Sequence, residues 1–177
     1  MRQNKEIVSP MSNEGRNAYV IRHITNAALE LLADKPLNNI SISELCEKAG
    51  VGRASFYRNF EDKEGILKAH LNEIFHEWVR EYEKDPSRPL SVQLRLLFSH
   101  FEEHRDFYTL LNDRRLLWML KDMVIGILGP KPDHSMAEAY SRAYVAYVLY
   151  GWIEVWFQRG MGETAEEIAA LFHAQGL

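Results

Sequence analysis

The sequence predicts an all-α fold on three observations. Apolar residues recur at helical spacing wherever a run is long enough to judge, as in Val20, Ile21, Ile24, Ala27, Ala28, Leu31 and Leu32. No stretch sustains the every-other-residue alternation of a half-buried strand. Proline, glycine and Asn-Asp punctuation cuts the rest into segments of helix length. The expected architecture is a three-helix unit containing a helix-turn-helix, followed by a C-terminal helical bundle, about nine helices in all.

In chain order, residues 1–15 carry Pro10 and Gly15 and few large apolar side chains, so a flexible N-terminal tail is expected there. The apolar stripe then predicts a first helix over 16–33, stopped by Pro36 and the Asn38-Asn39 pair. Ser41 and Glu44 fit a capping box opening a short second helix that runs to Ala49. Gly50 suits a left-handed helix terminus, and Val51 can bury itself in the turn. A third short helix must follow at once, because Phe56 and Phe60, four apart, share a buried face. Asp62 is the expected N-cap of a long fourth helix with the stripe Ile66, Leu67, Leu71, Ile74, Phe75, Trp78 and Tyr82, ending near Lys84 before Pro86 and Pro89. Helices over about 90–103, 105–112, 114–128, 135–159 and 164–174 complete the chain. The domain boundary is expected between residues 65 and 66, giving 16–65 and 66–177.

Composition narrows the function classes. The 177 residues suffice for one good core or two small ones. The longest apolar stretch, Tyr144 to Phe157, is interrupted by Gly151 and Glu154 and falls short of the roughly 18 residues that span a bilayer. MRQNKEIVSP lacks the apolar core of a secretory signal, so a cytoplasmic protein with no membrane partner is expected. The lone Cys46 has no nearby His to activate it and reads as a small packing residue. Net charge is −4, unevenly distributed: residues 1–70 hold ten Lys/Arg against nine Asp/Glu, and 71–177 hold eleven against sixteen. A balanced first third can present a basic face only if its acids point elsewhere.

Residues 45–60, LCEKAGVGRASFYRNF, decide the reading. With Phe56 and Phe60 turned inward, the third helix displays Arg53, Ala54, Ser55, Tyr57, Arg58 and Asn59 outward. Two short helices joined by a tight glycine turn and braced by a preceding helix form a helix-turn-helix, whose second member can enter the major groove. Arginine matches guanine O6 and N7, asparagine pairs with adenine, and Tyr and Ser hydroxyls suit phosphate oxygens.

Ser41–Leu67, SISELCEKAGVGRASFYRNFEDKEGIL, resembles the DNA-binding signature of TetR/AcrR-type transcriptional regulators: a Ser/Thr-led helix, Ala-Gly-Val, a short helix ending Tyr-x-x-Phe, then Lys and two apolar residues. The end of the chain, GWIEVWFQRGMGETAEEIAALF, resembles the two helices through which such proteins dimerise. The resemblance implies phosphate contacts from Ser41, Tyr57 and Lys63, and contacts to bases or nearby phosphates from Arg53, Ala54, Ser55, Asn59 and Arg58. It departs from the family at Gly52, where a Ser or Thr usually caps the recognition helix, and at Ala54, where Gly or Pro is frequent. What it implies overall is a repressor that binds a near-palindromic operator as a homodimer and is released by a small-molecule effector. The alternative is a TetR-fold co-activator, or a regulator controlled by a protein partner.

In the second domain the expected dimer interface is Leu149, Trp152, Ile153, Trp156, Phe157, Ile168, Leu171 and Phe172, more apolar surface than a thin domain hides. Candidate effector-pocket residues are Phe101, Trp118, Met119, Met123, Tyr144 and Tyr147. His100 and His104 share a helix face at i, i+4, as a metal site requires, but further ligands are not evident and a surface histidine pair is expected. No phosphate loop, Gly-x-Ser-x-Gly elbow or paired cysteines occur, so neither cofactor, metal nor enzymatic activity is expected.

Overall fold

The computed structural model describes residues 13–85 and 88–175, and among them nine α-helices and no strand. They are α1 (Asn13–Asp34), α2 (Ile42–Ala49), α3 (Arg53–Asn59), α4 (Lys63–Lys84), α5 (Leu90–Glu103), α6 (Arg105–Asp113), α7 (Trp118–Leu128), α8 (Met136–Gln158) and α9 (Ala165–Ala174), with one 3₁₀ turn at Leu37–Asn39. The all-α expectation holds. The expected tail lies outside the described residues up to residue 12, and the first helix begins three residues earlier than its apolar stripe suggests, at Asn13.

The chain divides into two compact units between Leu67 and Lys68. In the first, α1, α2 and α3 close over Ile24, Leu32, Ile40, Leu45, Phe56 and Ile66, all 1% exposed or less. Burying six such side chains at about 1.5–3 kcal/mol each supplies the driving force for a small unit of this kind. Cys46 is buried among them, and burial pushes its thiol up, against a smaller opposing influence of Arg53.

In the second unit α5 packs along α9 and α7 along α8. Its centre is aromatic: Phe98 lies 5.2 Å from Trp156 and Phe101 4.8 Å from Tyr108, ring centre to ring centre, both edge-on. Two helix ends explain the boundaries. After α6, Arg115 adopts φ 60°, with Leu116 N–H bonded to the Leu111 carbonyl and Arg115 N–H to that of Asn112. This is a Schellman closure built without glycine, which is why α7 starts at Trp118 instead of the expected residue 114. Gly160 plays the same part after α8, with φ 74°.

The histidine pair is not a surface feature, contrary to expectation. His100 is buried and its Nε2 lies 2.8 Å from Tyr108 Oη, with Phe75 edge-on at 5.0 Å. The helical stripe of α5 turns this imidazole inward, beside Leu97 and Phe101. Burial, aided by the neighbouring His104, lowers His100 to about 4. The unfolded chain then binds more protons than the folded one between about pH 6.5 and about pH 4, so the stability from a neutral His100 is full above that window and is lost as pH falls through it. Urea unfolding is expected to show a loss approaching 3 kcal/mol across the window, since each tenfold change in proton activity is worth about 1.4 kcal/mol per proton. A His100→Phe variant should flatten that slope, while an unchanged slope would assign the titration to other groups.

Candidate nucleic-acid interface

The first unit builds one outward surface from α2, the turn and α3. Ser41 opens α2, its Oγ accepting from Glu44 N–H at 3.1 Å, and the Glu44 carboxylate turns mainly to Lys35 Nζ at 2.6 Å. Gly50 closes α2 at φ 65°, with Val51 N–H on the Cys46 carbonyl and Gly50 N–H on that of Glu47. The turn is thereby fixed by backbone bonds alone, at a position where a Cβ would be strained.

Below α3, Phe56 is fully buried and Phe60 nearly so, their ring centres 6.0 Å apart. The opposite side carries Arg53, Ala54, Tyr57 and Arg58, all exposed, with Ser55 and Asn59 half-buried. Tyr57 is 52% exposed although one edge of Phe56 supports its ring. Arg53 sits one turn before it, guanidinium carbon 6.0 Å from the Tyr57 ring centre, and its pKa is raised first by hydrogen bonding to that phenol.

The local positive charge of this surface comes from the composition of α3, not from the unit as a whole. Lys35 pairs with Glu44 and Lys48 with Glu30, at 2.6 and 2.8 Å. α3 itself, RASFYRN, contains two arginines and no acid, and among the described residues neither arginine forms an ion pair. Acids of the unit are thus partly engaged by lysines, leaving Arg53 and Arg58 uncompensated where a polyanion would meet them.

Two predicted contact residues have partners inside the fold. Asn59 Nδ2 donates to the Ser55 carbonyl at 2.8 Å, holding the last turn of α3. Lys63 Nζ donates to the Leu37 and Ile40 carbonyls at 2.7 and 2.5 Å, tying the start of α4 to the 3₁₀ turn. One of its three N–H groups remains to reach a phosphate. The Lys63 bonds are not legible from residue spacing, since the carbonyl partners lie 26 and 23 positions away.

Gly52 precedes α3 in an extended conformation with no side-chain cap; its carbonyl takes the Ser55 and Phe56 N–H groups. Its φ of −76° suits any residue and a Cβ there would meet nothing within 4 Å. Gly52→Ser is therefore expected to raise the unfolding free energy by about 0.5 kcal/mol, by capping and by restricting the unfolded chain. Thermal unfolding with equal or tighter DNA binding is the check; a lower melting temperature would contradict the reading.

The second unit does not gather the predicted pocket residues. Phe101 and Met119 are closed into the core, Met123 is half-buried, and Trp118, Tyr144 and Tyr147 are exposed. Of the expected self-association residues, Leu149, Ile153, Trp156, Phe157, Ile168 and Phe172 are buried by the chain itself; Trp152 is half-buried and only Leu171 is exposed. The apolar surface that does face outward lies elsewhere on α8: Met136, Tyr140, Tyr144, Tyr147 and Val155, each at least half exposed. At about 100° per residue Met136, Tyr140, Tyr144 and Tyr147 fall within roughly an 80° arc, a stripe about 17 Å long; beyond it the same side carries Gly151, the exposed Glu154 and Val155.

No helix of the described residues is long and apolar enough to cross a membrane, and no group of three His, Cys, Asp or Glu that could hold a metal occurs among them. The family model of bacterial regulatory proteins, tetR family, matches residues 24–70, which takes in α2, α3 and the start of α4. The chain is 32% identical to the HTH-type transcriptional regulator AcrR of Shigella flexneri over 103 residues, 55% of this chain and 45% of that protein. It is 37% identical to the HTH-type transcriptional regulator EthR of Mycobacterium tuberculosis over 54 residues, 30% of this chain and 25% of that protein. It is 28% identical over 137 residues to the uncharacterized HTH-type transcriptional regulator YvdT of Bacillus subtilis, 74% of this chain and 61% of that protein. The chain spans between a quarter and three fifths of the length of the curated relatives it matches.

Proposed function

We propose, from the premise that this chain belongs to the TetR family of bacterial regulatory proteins, a homodimeric repressor that grips a near-palindromic operator with α3 of each copy and lets go when a small molecule enters the second unit. One observation carries the DNA-binding half: an acid-free two-turn helix, held from beneath by Phe56 and Phe60, with Arg53, Ala54, Tyr57 and Arg58 open along its outer side. Arg53 and Arg58 suit guanine edges, the Ala54 methyl a thymine methyl, and Tyr57 with the Ser41 hydroxyl the phosphates beside them.

The tyrosine stripe on α8 supports the dimer. Four large exposed side chains, Met136, Tyr140, Tyr144 and Tyr147, clustered on one side of a helix are the kind of patch that a partner surface covers. A second copy of the same helix buries it against itself around a two-fold axis. The expected interface therefore moves from the buried face of α8 to its tyrosine face. An effector in the second unit would act through α4, whose residues begin in one unit and end in the other. A shift of that helix would alter the spacing of the two recognition helices and so the fit to paired half-sites.

The test is selection of bound duplexes from random DNA by the full chain. Enrichment of an inverted repeat with half-site centres about 34–36 Å apart, or a multiple, is expected. A single unpaired half-site, or no enrichment at low salt, would contradict the proposal.

A further inference from the structure

A cleft of roughly 600 Å³ opens in the second unit between the end of α4, the start of α5, the end of α7 and the first half of α8. That is within the range of pockets that hold a drug-sized molecule. None of the six residues expected to line an effector pocket borders it. Its apolar lining comes from Leu90, Leu128, Ala137 and Val145, together with Tyr82.

Two charged residues line the cleft, Glu138 and Arg142, and they differ in what is left to offer. Glu138 is committed: its Oε2 accepts from Ser135 N–H at 3.1 Å and Ser135 Oγ–H at 2.8 Å, closing the capping box that starts α8. Those bonds hold its carboxyl below the usual range, with His134 and Arg142 adding their charge from farther away. Arg142, one turn on, makes no hydrogen bond or ion pair among the described residues. The cleft thus presents one planar cationic fork with its donors free, beside an apolar lining.

We propose that this cleft binds an amphipathic organic anion, its carboxylate on the Arg142 guanidinium and its apolar body along Leu90, Leu128 and Val145. The assignment rests on the effector reading above and specifies its chemistry. A guanidinium pairs with a carboxylate through two parallel N–H···O bonds, a geometry that a neutral amide meets only partly and an ammonium not at all. Ser141, also on the lining, can donate its hydroxyl to the same head group. The cleft residues Glu138, Ser141, Arg142 and Val145 project from a side of α8 distinct from the tyrosine stripe, by the 100° step of the helix. One helix therefore carries both the ligand's anchor and the face proposed for self-association, which gives an occupant a direct means of altering the dimer.

The experiment measures binding of octanoate, decanoate and naphthoate, with the matching amides and amines, to the full chain by calorimetry and thermal shift, without DNA. Arg142 and Ser141 are exposed, so Arg142→Gln and Ser141→Trp leave the fold intact. Carboxylates are expected to bind at least about tenfold tighter than amides, Arg142→Gln to erase that preference, and Ser141→Trp to weaken both by filling the cleft. Equal binding of carboxylate and amide, preference for the amine, or no binding of any probe would overturn the anion assignment. Carboxylate binding untouched by both substitutions would place the ligand elsewhere and overturn the site. The effector reading fails separately, as an operator affinity unchanged at saturating ligand.

Discussion

Replacing both Arg53 and Arg58 with alanine is expected to cost about 2–6 kcal/mol of operator binding, roughly thirty-fold or more, with no loss of folding. The folded state has little stake in either side chain: both are exposed, and among the described residues Arg53 hydrogen-bonds only its neighbour Tyr57. The sequence dependence of the loss identifies the contact. If the guanidinium forks read guanine edges, the penalty is large on the selected operator and small on random duplex. If they sit on phosphates, it is equal on both, and the slope of log affinity against log salt falls by about 0.9 for each contact removed. Lys63→Ala is a poor substitute for this test. Its ammonium holds two backbone carbonyls, so its removal weakens the fold as well as any phosphate contact.

The second large effect belongs to the outer face of α8. Tyr144→Glu combined with Tyr147→Glu places two like charges on the exposed stripe, and a two-fold interface built on it would bring four such charges into one contact. Sedimentation is expected to show a monomer with unchanged helix content. Operator affinity should fall by about 10²–10³, because the second half-site is then no longer bound at the effective concentration that dimerisation provides. A dimer that survives both substitutions would remove the stripe from the interface. Truncating Trp156 or Leu149 tests something else: both are buried in the chain's own core, and losing either costs about 2–5 kcal/mol of folding before any interface is affected.

What is legible in the sequence divides along the range of the interactions responsible. The α2–turn–α3 unit is specified by neighbours: Ser41 caps, Gly50 takes the left-handed terminus, and Phe56 with Phe60 fixes which side of α3 is inward. All of these act within a few residues, so spacing reveals them. The orientation of α8 is not local. Apolar side chains occupy more than one side of this helix, and its packing on several neighbours, α7 along its length and Phe98 of α5 at Trp156 among them, decides that Leu149, Ile153 and Trp156 turn in while Tyr140, Tyr144 and Tyr147 turn out. His100 is illegible for the same reason, since its burial depends on Phe75 of α4 and Tyr108 of α6. The break at Arg115 carries no signal because the left-handed position there is filled by an arginine where glycine is usual. Asn59 has a second use that spacing does not show: its amide donates to the Ser55 carbonyl one turn back, with its Oδ1 and second N–H left for another partner.

The most direct test of the central claim is fluorescence anisotropy of the full chain against three duplexes, the selected inverted repeat, one isolated half-site and a scrambled sequence, over a range of salt. Two chains per inverted repeat are expected, with affinity far above that for the half-site and a steep decline with salt that leaves the preference over scrambled DNA in place. Indifference to which duplex is offered, or to its presence at low ionic strength, would show that the exposed side of α3 is not a DNA-reading surface.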